Sequence, residues 1–481
     1  MIQLSEQVKE KIVTLWIEWF RCIHQLRGAC SRCATFMWMS LVLATLAVRP
    51  DLLGVTSFVR GSFLDPFYYH SLLHFFHSSA LDLSRLLKMW VKLAIQLFDP
   101  VTVNGRFVFV ADGLKVPKEG RKMPAVKSLH QESSDNSKAE FIMGHSFQAV
   151  SLLVGSSVGQ VFAVPLVSRI CEGIIRHRSR KPKTLLDKLV VLFLDVVQAA
   201  DVPAILVADA YYASQKIISP LLAKGHHLVT RARYNAVAWK PASTSKTKKP
   251  GRPKLYGDKV ILRNLFKAGK SFLTAQSPVY GEEKVTIEYR VVDLLWRPVG
   301  SKVRFILVKH PSRGKIILMS SSLEFDAITI IRLYGLRFKI EVSFKQAVHT
   351  LGTYAYHFWM KDMKPIKRYS GNQNIIHKSE KYRKAVNRKM DAYHRYVQLG
   401  CITQGLLQHL AINFRDKVWQ KFNSWLRTMR KDLVPSEMVV AIALKSGFPK
   451  FLLDRTTEPV IKKFILDRTM CRNLSDFSMT G

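Results

Sequence analysis

Two short apolar runs, each closing on an aspartate, constrain the fold of this chain more than any other feature in it. Residues 107–112 read FVFVAD and residues 204–209 read AILVAD. Consecutive apolar residues without alternation are what a strand buried on both faces requires, and a carboxylate at the end of such a run stands at the rim of the sheet. The surrounding sequence supplies the other elements. Residues 145–155 and 159–169 read as two strands joined by a GSSVG turn, 184–199 as a helix, the stretch from about 213 (SQKIISPLLAKG) as a second helix, and 226–233 as a strand. The order is β-β-β-α-β-α-β, which predicts a mixed α/β (α+β) sheet with two of its strands ending in aspartate.

A third carboxylate lies further on, after a strand predicted at 316–322 and a helix predicted to start at Phe325. In RLYGLRFKIEVSFKQAVHTLG, residues 332–352, Tyr334, Arg337, Glu341 and Lys345 follow at steps of three, four and four. A continuous helix would put all four on one face. A neighbouring stripe of Leu336, Ile340, Phe344 and Val348 supplies an apolar surface to bury against a sheet. Asp112, Asp209 and Glu341 are thus candidate catalytic and metal-binding residues. Magnesium takes oxygen ligands and keeps several waters, so carboxylates converging at an open sheet end suit it, with Mn2+ as a substitute. A pair of such ions can support in-line attack on a phosphodiester. The plainer alternative is that each aspartate caps a turn and Glu341 joins ordinary surface ion pairs.

Charge points to the substrate. The 481 residues carry 74 Lys+Arg against 35 Asp+Glu, a formal net charge of +39, which repels itself unless a polyanion shares the surface. Double-stranded DNA is the first candidate partner. A hydrophobic content of 48% with 11% aromatics excludes a disordered chain, and six cysteines in this length exclude a disulfide scaffold. Cys30 and Cys33, with Cys22 upstream, lack a second CxxC to complete a zinc site, so buried free thiols are expected. Residues 33–48, CATFMWMSLVLATLAV, contain no charge but are too few to span a bilayer, which needs about 20. They are expected as a buried core helix, with no membrane partner. The first thirty residues have no secretory pattern, giving a cytoplasmic, nucleoid-associated expectation.

The flanks divide by texture. Residues 1–101 are helical, with Leu4, Val8, Ile12, Leu15 and Trp19 near a 3.6 period and Leu83, Leu86, Trp90, Leu93 and Leu97 in a later helix. Residues 102–233 hold the first part of the core, 234–314 a β-rich insertion, 315–352 the last core strand and the Glu341 helix, and 353–481 a basic helical region. Within the insertion, KPASTSKTKKPGRPK is a basic loop whose Gly-Arg-Pro-Lys, with Arg252 and Lys254, is a candidate minor-groove contact. Residues 176–183, RHRSRKPK, form a further basic patch, 369–388 read as a polar linker or exposed arm, and 390–425 as a long helix.

RFVFVADG, ILVADAYYAS and IIRLYGLRFKIEVSFKQ resemble the three catalytic blocks of DDE transposases of bacterial insertion sequences, in particular the insertion-sequence-four group with its Tyr-Arg-Glu-Lys signature. Tyr334, Arg337 and Glu341 match that signature in identity and spacing; its lysine position falls on Val348, with Lys345 a turn after Glu341. The resemblance implies an RNase H-like core with a β-rich insertion and helical flanks. It also implies a metal-binding triad of Asp112, Asp209 and Glu341, DNA contacts from Tyr334 and Arg337, and a homodimer in the synaptic complex. The implied activity is metal-dependent cleavage and strand transfer at the inverted terminal repeats of the element, with target DNA as the second substrate. A decayed copy acting as a sequence-specific DNA-binding protein is the alternative. Trp239 or Trp296 is a candidate to stack on an extruded base, against simple core packing.

Overall fold

The computed structural model describes residues 15–131, 139–178, 180–242, 254–267, 272–454 and 457–470. Its strands of five residues or more are β1 Arg106–Pro117, β2 Phe141–Gly155, β3 Val161–Ile170, β4 Ala204–Ala208, β5 His227–Arg231, β6 Val237–Pro241, β7 Tyr256–Ile261, β8 Thr286–Trp296, β9 Ser301–His310 and β10 Gly314–Ser320. The helices are α1 Leu15–His24, α2 Cys33–Val48, α3 Thr56–Gly61, α4 Tyr69–His77, α5 Leu83–Leu97, α6 Leu185–Ala200, α7 Gln215–Ala223, α8 Ala327–Gly335, α9 Lys339–His349, α10 Glu380–Asn413, α11 Arg415–Lys421, α12 Glu437–Leu453 and α13 Pro459–Leu466.

Along the sheet the core strands run β3-β2-β1-β4-β5. β1, β4 and β5 are parallel, while β2 is antiparallel to β1 and β3 to β2. This mixed α/β arrangement is that of an RNase H-like core. β1 shows why an unbroken apolar run was needed: Phe109 and Ala111 enter the larger apolar core on one face, and Val108 and Val110 the smaller one on the other. All of β4 is buried, as a parallel strand covered on both sides must be. α6 begins with a capping box in which the Thr184 side chain accepts from the Asp187 N–H and the Asp187 carboxylate accepts from the Thr184 N–H.

The sheet does not stop at β5. β10 pairs antiparallel with β5, through Leu318 opposite Arg231, and β9, β8, β6 and β7 follow outward in that order. The β-rich insertion is therefore continuous with the core sheet, because β10 uses the open edge of β5.

Helices from both chain ends cover one face. α2 is buried almost all round, and α1, α4, α5, α10 and α12 share its apolar core. Among the described residues no helix is long and apolar enough to cross a membrane. α10 starts at Glu380, inside the stretch expected to be a polar arm; Ser379 caps it, accepting from the Tyr382 N–H. Its later half comes so close to its neighbours that a Cβ on Gly405 would lie 2.3 Å from the Trp90 ring and one on Gly400 2.5 Å from Thr353. Cys22, Cys30, Cys171 and Cys401 are buried free thiols and Cys33 is an exposed one.

Candidate active site

Asp112 is not at the end of its strand. β1 continues to Pro117, paired with β2 as far as Gly144, while the parallel partner β4 stops opposite Ala111. The carboxylate therefore emerges where the sheet loses one neighbour and keeps the other. Asp209 follows the last residue of β4 and caps the single turn Ala210–Tyr212, one oxygen accepting from the Ala210 N–H at 2.5 Å. Thr230 of β5 anchors the same corner by donating to the Asp209 carbonyl at 2.8 Å. The capping alternative is thus met at Asp209 without removing it from the rim, since a cap uses only one carboxylate oxygen.

The helix that brings the third carboxylate is broken. α8 ends at Gly335 and α9 begins at Lys339, and the turn between them is held by three-residue hydrogen bonds from Arg337 to Tyr334, Lys339 to Leu336 and Ile340 to Arg337. Tightening to about three residues per turn rotates the two halves relative to a straight helix. Leu336 and Ile340 are buried as expected, Phe344 and Val348 only partly, and Val342 is exposed. The break sets Arg337 over the sheet rim, where its guanidinium donates to Asp112 at 3.1 Å and to Glu341 at 2.5 Å. Tyr334 is half-buried beside Arg337, and burial raises its hydroxyl pKa.

Electrostatics tie the three acids together. Burial, with the charges of Asp209 and Glu341, pushes Asp112 up to about 6 although the Gly113 N–H and Arg337 oppose it. Burial disfavours the Arg337 charge, but Glu341 and Asp112 outweigh that and raise its pKa. A cation is therefore already needed among these carboxylates. The donors are hard oxygens of the kind a divalent ion takes, and the Glu341 side chain is 54% exposed. The three carboxylates do not all lie within 4.8 Å of one another. Among the described residues only Glu18, Cys22 and His409 form such a group.

Beside the site a cavity of about 450 Å³ separates the α8–α9 turn from β9 and β10. Arg231, His310, Arg313, Tyr334 and Arg337 line its polar part, and Val279, Val308 and Ile331 its apolar part. Lys339 lies over the Tyr280 ring at 3.6 Å, and burial lowers it to about 8. Arg231, Arg313, Lys339 and Tyr280 are site residues that sequence patterning misses. Arg231 sits in the visible run HHLVTRAR, but nothing local marks which basic residue faces the rim.

Not every expected residue joins the site. Lys345 is exposed and makes no ion pair with the carboxylates among the described residues. Lys254 is exposed just before β7, the fifth strand beyond β5, at about 24 Å for a 4.8 Å spacing. Arg252 lies outside the described residues. Trp239 packs against Tyr256 with Arg297 over its ring at 4.5 Å, and Trp296 packs against the larger core. Both tryptophans are used in packing.

The sheet thus carries Asp112 on one strand and Asp209 just after its parallel neighbour, with the Glu341 helix tied to Asp112 through Arg337. The family model described as DDE superfamily endonuclease matches residues 64–284. That range contains Asp112 and Asp209 and ends before Glu341. No curated protein matches the chain significantly.

Proposed function

We propose that this chain is a DDE transposase: a divalent-metal-dependent enzyme, with Mg2+ as the expected ion, that cleaves and transfers DNA strands at the inverted terminal repeats of an insertion sequence. The observation that carries the reading is the meeting of Asp112 and Glu341 on Arg337, with Asp209 close enough to raise the Asp112 pKa. A DDE superfamily endonuclease match over both aspartates and a net charge of +39 support it.

Asp112, Asp209 and Glu341 would hold the metal, which when bound supplies the charge that activates the attacking oxygen and stabilises the leaving one. The rest is work for the chain. Arg337, released from one carboxylate, can turn to a phosphate oxygen, where a guanidinium binds through two parallel N–H bonds. Tyr334 lies on the same side and can fix the backbone near the cut. Arg231, Arg313 and Lys339 surround the site with positive charge for the duplex. Action as a synaptic dimer belongs to the same proposal.

A second reading, a copy that binds DNA without cutting it, is favoured by two observations: Val348 stands where the signature has lysine, and the Arg337 ion pairs close the carboxylates to one another. Purified protein incubated with Mg2+ and a supercoiled plasmid bearing the terminal repeats separates the two. Nicking that disappears in Asp112→Asn, Asp209→Asn and Glu341→Gln supports the enzyme. Binding without nicking supports the second reading, and wild-type nicking by any of the three variants removes that residue from the site.

A further inference from the structure

The basic residues of 176–178 and 180–183 and the first half of α10 are far apart in sequence and are brought together in the fold. The short strand Ile174–Ile175, just after β3, pairs in parallel with Gln373–Asn374, just before α10. The junction is locked by the Gln373 N–H to the Gly173 carbonyl at 2.8 Å and the Ile375 N–H to the Ile175 carbonyl at 3.0 Å. Side chains continue it: Arg176 donates to Asn387 at 3.3 Å, and Arg178 lies 3.4 Å from His377. Residues 176–183 contain five Lys or Arg and no acid; 378–389 contain six and one acid, Glu380, which Lys384 pairs at 2.7 Å. Arg178, Arg180, Lys381, Arg383, Lys384 and Arg388 are all exposed.

Two histidines register the positive charge around this surface. Burial, with the charges of Lys389, Arg388 and Arg395, lowers His77 to about 4; Lys389 approaches it to 3.0 Å. His394 is lowered well below its ordinary value, by burial first and then by cations including Arg169 and Arg176. Asp391 offsets part of this charge, at Arg169, Arg176 and Arg395, and an anion laid over the surface would offset more. The surface lies toward the β3 edge of the core sheet, two strands or about 10 Å from β1.

We propose that residues 176–178 and 180–183, together with 378–389, form a second duplex-DNA surface, which grips phosphates apart from the strand being cut. Duplex DNA is the favoured polyanion because the two segments bring eleven Lys or Arg together against one acid, and because the chain's proposed substrate is DNA, on which reading this inference rests. Anionic membrane is the competing class.

The test is the salt dependence of binding of the full chain to a duplex of unrelated sequence. Replacing Arg178, Arg180, Lys384 and Arg388 by alanine should reduce the slope of log K against log salt by about 3 to 4, since each released phosphate contact contributes about 0.9. A Lys/Arg interchange at the same four positions should retain the wild-type slope, and unchanged thermal melting of both variants would show that the fold is kept. An unchanged slope in the alanine variant overturns the proposal while leaving the carboxylate site untouched. Loss of slope in a chain that does not nick DNA supports this surface and overturns the enzyme reading. Wild-type binding to phosphatidylserine vesicles, with none to duplex DNA, overturns both.

Discussion

Glu18 and Asp112 are both carboxylates removed from water with an arginine within hydrogen-bonding distance, and they titrate in opposite directions. Burial pushes Glu18 up, but hydrogen bonds from His409 at 2.7 Å and Arg21 at 2.6 Å outweigh it and bring it to about 2. Asp112 is pushed up to about 6 because burial is reinforced by two further carboxylates, and the Gly113 N–H and an Arg337 shared with Glu341 do not outweigh them. One acid has donors to spare and the other must share. A surplus of donors makes a structural ion pair, whereas a shortage leaves a site that gains by taking up a cation.

The largest effect that sharpens this contrast is on chemistry. Asp112→Asn should reduce Mg2+-dependent nicking on the order of a thousandfold, as loss of a principal electrostatic group does. The same variant should melt no lower than wild type at neutral pH, because the neutral amide escapes the penalty that the buried charge carries. Glu18→Gln should do the reverse, losing about 3 kcal/mol or more of stability and retaining nicking per folded molecule. Melting curves and nicking assays on the two proteins check both halves, and a common response would erase the distinction.

The pH dependence follows with opposite signs. The raised Asp112 pKa opposes folding above about 6, and that penalty is relieved as pH falls toward its ordinary value of 3.8. The lowered Glu18 pKa stabilises the fold fully above its ordinary 4.5, and that contribution is lost as pH falls toward about 2. Chemical denaturation should therefore show the Asp112→Asn advantage shrinking between pH 7 and 4, and the Glu18→Gln deficit persisting until below pH 4.5.

Arg337→Gln probes the shared cation itself. Without its charge, Mn2+ should bind several-fold tighter by calorimetry while nicking falls, because the carboxylates lose their internal partner and the phosphate its anchor. The smallest expected effect comes from behind the site. Gln404 of α10 donates to the Ser343 carbonyl at 3.0 Å and to its hydroxyl at 3.1 Å, holding α9 from the side away from the rim. Gln404→Leu should cost about 1 to 3 kcal/mol in denaturant unfolding and change nicking less than any carboxylate variant.

Much of this site was legible in the residues. The runs ending in Asp112 and Asp209, the element order of the core and the charged face of the Glu341 region all follow from local pattern. The straight helix through Glu341 did not hold, since nothing in RLYGLRFKIE announces that Leu336–Phe338 will tighten into a three-residue turn; packing of Leu336 and Ile340 into the smaller core accompanies that break. Nor did β1 end at Asp112. Pattern marked where its apolar run stopped, but β2 pairs it for five residues more.

What the sequence by itself determined is therefore the supply of groups: strands buried on both faces, three carboxylates in order, a signature short of its lysine, and an excess of positive charge. Tertiary structure decided their company. Only the early stop of β4 leaves Asp112 at the sheet rim, only the α8–α9 turn puts Arg337 between two acids, and only the pairing of 174–175 with 373–374 brings two distant basic segments together. The physical reason is that strands and helices follow from periodicities a few residues long, whereas a carboxylate's pKa, and the potential a cation cluster creates, depend on neighbours hundreds of residues away.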